Sequence, residues 1–243
     1  MAPTPRLRLD LRRATLPNGL RVVLHRDPEL PLVSQSLWYH VGSKNERPGR
    51  TGFAHLFEHM LFQGSAHVGT NDHFRHLQQA GGVGNGSTWF DRTNYYCTLP
   101  SEHLELGLWL ESDRMGWLLP ALTQQKLDTQ REVVMNERRQ RFDNQPYGRA
   151  FERLHELLYP DDHPYRWPVI GYLDDIAAAT LEDVRSFFTT YYVPCNAVLA
   201  LAGDIDEDRA LELVETYFGE IPAADPPPRP TCREPSSRAS GAR

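Results

Sequence analysis

His55-Leu-Phe-Glu58-His59 decides the reading, set inside the apolar run Phe53-Ala-His-Leu-Phe-Glu-His-Met-Leu-Phe62. The spacing predicts a helix. On a helix, positions i and i+4 share a face, so His55 and His59 can offer two imidazole nitrogens to one metal. Glu58 lies three residues after His55 and shares that side. Two neutral nitrogen ligands and a carboxylate leave a tetrahedral zinc one open position for water. A carboxylate beside that water can take its proton. The order is the reverse of H-E-x-x-H, with the same ingredients. The bland alternative is a surface helix with His and Glu on its wet face. Phe53, Leu56, Phe57, Met60, Leu61 and Phe62 argue against it. They predict a largely buried helix, where two His and a Glu without partners are costly.

A third ligand has to come from elsewhere. The segment Gln130-Arg-Glu132-Val-Val-Met-Asn-Glu137-Arg-Arg lies within a predicted long helix, Thr123 to Phe142. Glu132 and Glu137 are both candidates. Val133, Val134 and Phe142 mark an apolar side, and Glu137 lies three or four residues from those valines. Both carboxylates can instead pair with Arg131, Arg138 and Arg139 on a solvated face.

Working outward, strands and helices intersperse. Asn18-Gly19 signals a turn before a strand over Leu20–His25. Leu32–Val41 reads as a second strand, Gly42–Arg50 as a polar loop, and Thr51 as the cap of the His55 helix. A helix starts at Asn71 and ends at Gly81-Gly82. Thr88–Leu99 alternates like one strand. Helices follow over Ser101–Trp117 and Tyr147–Leu158. Thr180 and Asp183 have capping-box spacing for a helix to Tyr191. A buried strand, Ala197–Ala202, precedes a last helix, Asp206–Phe218. This order predicts an α+β fold: a mixed or antiparallel sheet with helices packed on one face. Residues 1–221 form the expected catalytic domain. Residues 222–243, rich in Pro, Ser and Arg, read as a solvated tail or linker.

Composition narrows the function. Of 243 residues, 40% are hydrophobic and 24% charged, and the formal net charge is −6. The chain lacks the basic excess that phosphate backbones require, so nucleic acid is not an expected partner. No run reaches the 18 or so apolar residues of a membrane span. The start carries Arg6, Arg8, Arg12 and Arg13 with Asp10 but no apolar stretch, so no secretory signal is read. Three cysteines, Cys97, Cys195 and Cys232, give no disulfide framework. A reducing, cytoplasmic setting is the simplest expectation.

The stretch from Phe53 to Ser65 resembles the active-site helix of the pitrilysin/insulinase family of zinc peptidases (M16-like). Gly81-Gly-Val-Gly-Asn85-Gly-Ser-Thr88-Trp-Phe-Asp91-Arg-Thr-Asn-Tyr95 resembles that family's Gly-Asn-x-x-Thr-x-x-Asp-x-Thr-x-Tyr strand. Arg131 to Glu137 resembles its third-ligand helix. His163-Pro-Tyr165, Ile170-Gly171, and Tyr192 to Asn196 through Gly203-Asp204 match later landmarks. The resemblance spans nearly all of residues 15–222. It implies that His55, His59 and Glu137 hold Zn²⁺ and that Glu58 is the general base. Where family members often carry a second acidic residue, seven before the third ligand, this chain has Gln130. The resemblance also makes Asn85, Gly86, Ser87 and Thr88 the edge where an extended peptide substrate pairs through its backbone. A capped turn around Gly84-Asn85-Gly86 explains those residues almost as well.

Family members are clamshells of similar domains, so a second homologous domain or partner subunit is expected, with weak activity for this chain alone. Exposed apolar surface is expected where that domain docks. One rival reading is a non-catalytic scaffold subunit of the same family, which the intact motif opposes. Another is a metal-dependent lyase of the S-ribosylhomocysteine type, whose third ligand is a Cys. His73 and His76 read as a solvated helix face. Trp38, Tyr39, Trp89 and Phe90 read as core or groove lining, and Cys97 as a buried thiol.

Overall fold

The computed structural model describes residues 9–231. A six-stranded mixed sheet runs in the order β1-β2-β6-β3-β5-β4. Its strands are β1 (Arg12–Thr15), β2 (Arg21–Arg26), β3 (Leu32–Tyr39), β4 (Val83–Thr88), β5 (Thr93–Pro100) and β6 (Ala197–Gly203). Only β2 and β6 pair in parallel; every other neighbour is antiparallel. The helices are α1 (Phe53–Met60), α2 (Asp72–Gln79), α3 (Leu104–Gly116), α4 (Gln124–Arg138), α5 (Ala150–Leu158), α6 (Leu173–Ala177), α7 (Leu181–Tyr191) and α8 (Glu207–Phe218). The α+β fold expected from the sequence is the fold found.

Alternation decides which side of the sheet is covered. On β3, Val33, Gln35, Leu37 and Tyr39 are buried while Leu32 and Trp38 are exposed. Side chains at i and i+2 share a face. The buried set meets Tyr95, Cys97 and Leu99 of β5 and Leu199 and Leu201 of β6 beneath the helices. On the opposite face Trp38 and Tyr96 remain exposed. Trp38 and Trp89 are therefore not core residues, whereas Tyr39 and Phe90 are buried.

Several local expectations change. The predicted strand Thr88–Leu99 is a hairpin: β4 ends at Thr88, and Trp89 donates its N–H to Arg92 O at 2.8 Å to close the turn. Trp89 and Asp91 kept the alternating pattern through the turn by chance. Thr51 does not cap α1. It is buried and donates its hydroxyl to Asp175 Oδ2 at 2.7 Å while accepting from Tyr172 N at 3.0 Å. α1 begins after Gly52, whose φ of 83° and backbone contact with Gly171 (φ 80°) exclude a side chain. His73 is buried rather than solvated, because α2 turns it toward Phe62. The long helix ends at Arg138 in a widened turn, Arg139–Asp143. The Thr180–Asp183 capping box is present.

Residues 222–231 carry no helix or strand, and Cys195 Sγ meets Ala224 O at 3.3 Å. The rest of the expected tail, with Cys232, and residues 1–8 lie outside the described residues. Among the described residues no helix is long and apolar enough to cross a membrane. α5 exposes an apolar stripe of Phe151, Leu154, Leu157 and Leu158, with Tyr147 before it.

The core predicts unequal sensitivities. Leu199→Ala, at a position with 0% exposure, should cost about 2–5 kcal/mol in urea unfolding. Leu157→Ala, at 70% exposure, should stay within about 0.5 kcal/mol of the parent. Equal losses at both positions would contradict the layer assignment.

Candidate active site

The position of α1 is fixed at its first turn. Glu46, from the preceding loop, accepts hydrogen bonds from Gly52 N at 2.9 Å and Ala54 N at 2.8 Å. Those N–H groups have no partner within the helix, and a carboxylate there also suits the helix dipole. Burial raises the Glu46 carboxyl above its usual range, although both amides pull it down. Apolar packing then fixes the roll of α1. Phe57 stacks on Phe188 at 5.7 Å and lies 4.4 Å from Tyr192, while Leu56 and Met60 are buried. His55, Glu58 and His59 take the face toward α4 and β4.

α4 brings Glu137 to that face. Its Oε2 lies 3.3 Å from His59 Nε2 and 3.7 Å from His55 Nε2. One donor atom from each of the three residues falls within 4.8 Å of the others. Glu132 is exposed and joins nothing here. The arginines expected to neutralise these acids bind elsewhere. Arg138 pairs with buried Glu152 at 2.8 Å, and Arg131 with Asp128 and the carbonyls of Ala177 and Ala179. Glu137 Oε1 instead meets Arg141, one turn on, at 2.8 Å.

Electrostatics favour a cation between the trio. Burial first, then the neighbouring His59, pushes His55 down to about 4, so its imidazole is neutral at neutral pH. A hydrogen bond with His59 first, against the pull of burial and helped by the Arg141 charge, holds Glu137 below the usual carboxylate range. Nitrogen lone pairs and a carboxylate oxygen thus converge, and that donor set fits zinc.

Glu58 stands beside them. Thr88 Oγ1 donates to its Oε2 at 2.5 Å. Burial raises its carboxyl, with Thr88 and His59 opposing. Gly86 lies so close that an added Cβ would meet Glu58 Cγ, Oε1 and Phe62 Cε2 at 3.2 Å. Glycine at this position lets β4 approach the carboxylate. Asn85 is exposed, and its Oδ1 accepts from Gly86 N at 2.8 Å. Ser87 is committed within the hairpin: its hydroxyl donates to Asn94 Oδ1 at 2.7 Å, and its carbonyl accepts from Arg92 Nη1 at 2.8 Å. The four β4 residues line one groove with the trio, Glu58, Phe62, Phe74 and Arg141, of about 400 Å³. A larger cavity of about 750 Å³, bordered by Lys44, Asp91 and residues 226–230, contains none of these groups. Glu46, Arg92 and Arg141 were not singled out from the sequence; the i, i+4 spacing of Glu137 and Arg141 was a readable signal for that pair, whereas the contacts of Glu46 and Arg92 depend on the turn into α1 and on the hairpin.

Residues 21–166 match the model for the insulinase family, peptidase family M16. The chain belongs to peptidase family M16. Residues 178–241 match the model described as the M16 inactive domain. The zinc protease PqqE of Helicobacter pylori is 34% identical over 94% of this chain and 51% of its own length. The beta subunit of the mitochondrial-processing peptidase of Saccharomyces cerevisiae is 26% identical over 89% of this chain and 46% of its own. The crystal structure of a protease from Helicobacter pylori superposes with a TM-score of 0.87 at 34% identity, covering 92% of this chain and 53% of that one. This M16 chain spans about half the length of the curated relatives it matches.

The buried imidazole predicts a pH signature without metal. The unfolded His55 titrates near 6.5 and the folded one near 4. Between those values the unfolded state binds more protons, so stability falls as pH drops through the window. In chelator, the urea midpoint should decline from pH 7 to pH 5, and His55→Gln should shrink the decline. An identical slope in the variant would remove this explanation.

Proposed function

We infer that the chain is the metal-bearing domain of a zinc metalloendopeptidase that cuts extended peptides or unfolded protein segments. The observation that carries this reading is the convergence of His55, His59 and Glu137 beside a carboxylate, Glu58, held by the edge strand. His55, His59 and Glu137 would hold the metal. Zinc bound there supplies Lewis acidity, lowering the pKa of a water and polarising a carbonyl.

Glu58 does the proton work. Its raised pKa brings it nearer the operating pH of a general base. It takes the proton of the attacking water and returns it to the leaving amine. Thr88 holds Oε2, which leaves Oε1 toward the groove. β4 ends the sheet, so its outer edge can pair with an extended peptide. That pairing uses backbone groups, which matches side chains at Ser87 and Thr88 already engaged inside. Gly86 lets such a peptide lie close to Glu58.

A second homologous domain or partner subunit completes the site. The relatives' doubled length supports this, as do the exposed α5 stripe and the open sheet face at Trp38 and Tyr96. The complete trio with Glu58 opposes a non-catalytic scaffold role, and Glu137 in place of a Cys opposes the lyase.

Glu58→Gln should keep stoichiometric zinc by atomic absorption yet lose cleavage of an unfolded casein probe by 10²-fold or more. Cleavage at the parental rate would reject the base assignment. His55→Ala should lose the zinc; unchanged metal content would reject the ligand set. The isolated chain should turn over slowly, and rapid cleavage by a verified monomer would show that no second half is needed.

A further inference from the structure

Arg141 has no role in the chemistry above, yet it lines the groove. Among the described residues lining that groove it alone carries a permanent positive charge, against the acids Glu58 and Glu137. Its side chain is 71% exposed and reaches Glu137 Oε1 at 2.8 Å. The other oxygen of that carboxylate points to His59. The guanidinium therefore sits one carboxylate away from the point where the imidazoles converge.

A purely structural account of Arg141 is weak. With its guanidinium largely in solvent, Arg141 adds little to the helix through a single i, i+4 pair with Glu137. A guanidinium also has five donors in a fixed fork, and Glu137 takes one of them, at Nη1. The remaining donors suit a second carboxylate, which Arg binds in a planar, two-bonded geometry. The stacked rings of Phe62 and Phe74, 4.7 Å apart, give the groove an uncharged wall as well. A peptide in this groove therefore meets apolar and cationic contacts at different points, which fixes its register.

We propose that Arg141 forms a carboxylate-binding subsite that selects peptides with an acidic group one or two residues from the cleaved bond. The distance follows from an extended chain advancing about 3.4 Å per residue. The carboxylate can come from an Asp or Glu side chain or from a free C-terminus. This inference rests on the peptide-groove reading of the site.

The test uses the zinc-loaded Glu58→Gln chain, which holds peptide without cutting it. Fluorescein-labelled decapeptides of Ala, Leu and Thr carry a single Glu, Gln or Lys, each with a free or an amidated C-terminus. Anisotropy gives Kd for each, and zinc content is measured in the same samples. The Glu peptide, the free C-terminus or both should bind at least 5-fold tighter than the neutral match. Adding Arg141→Gln should bring that ratio to about 1, and Arg141→Glu should favour a Lys peptide. The amidated pairs distinguish a side-chain carboxylate from a terminal one. A ratio near 1 with Arg141 present, or a preference that survives Arg141→Gln, overturns the subsite. So does a loss of preference that tracks a loss of zinc. If no peptide binds at all, the groove reading fails first and takes this inference with it.

Discussion

Two imidazoles and a carboxylate share one face of a helix that is otherwise packed in apolar contacts, and a second carboxylate faces them from α4. That constraint governs the rest of the fold. Polar groups taken from water need partners, and like charges cannot be left together in a medium of low polarity. The protein meets the need by drawing three separate segments to one point. α1 supplies the imidazoles, α4 brings Glu137, and β4 brings Thr88 to Glu58. Each residue is ordinary alone. The chemistry exists only because the sheet and helices hold their relative positions.

The surrounding structure acts mainly to hold α1. Glu46 engages its first amides, Gly52 lets the chain turn into it against Gly171, and Phe57 locks its roll against Phe188 and Tyr192. A helix of eight residues has little stability of its own. Its geometry is imposed by tertiary contacts. This explains why the segment is so apolar while carrying the most polar task in the chain.

The sequence disclosed the parts whose information is local. H-x-x-E-H fixes its own geometry through the helical repeat, and the Thr180–Asp183 box through capping. The sheet strands Leu20–His25, Leu32–Val41 and Ala197–Ala202 announced themselves by β-branched and apolar patterning. Failures came where local pattern and tertiary demand diverge. Trp89 and Asp91 continued an alternation that the hairpin breaks. Thr51 has the chemistry of a helix cap, but the approach of α6 gives it a different partner. His73 sits among Asn71, Asp72 and Arg75 in sequence, yet packs edge-on against Phe62 in space. The choice between Glu132 and Glu137 was beyond periodicity, since both lie on one helix; the roll of α4 against α1 decides it. Glu46 and Arg92 went unread because a loop turn and a hairpin, not a regular repeat, bring their partners to them, while the Glu137–Arg141 pair sits at helical spacing and could have been read.

The place of β6 has a consequence for synthesis. It follows the other five described strands in the chain, yet it sits in the middle of the sheet between β2 and β3. Until about residue 203 has emerged, the β1–β2 ribbon and the β3–β5–β4 ribbon have no common neighbour. Such late, long-range pairing slows folding and leaves unpaired edges open to wrong partners. Helix α1 is thus made well before the strand that closes the layer beneath it, and chaperones that shield strand edges have their opportunity in that interval.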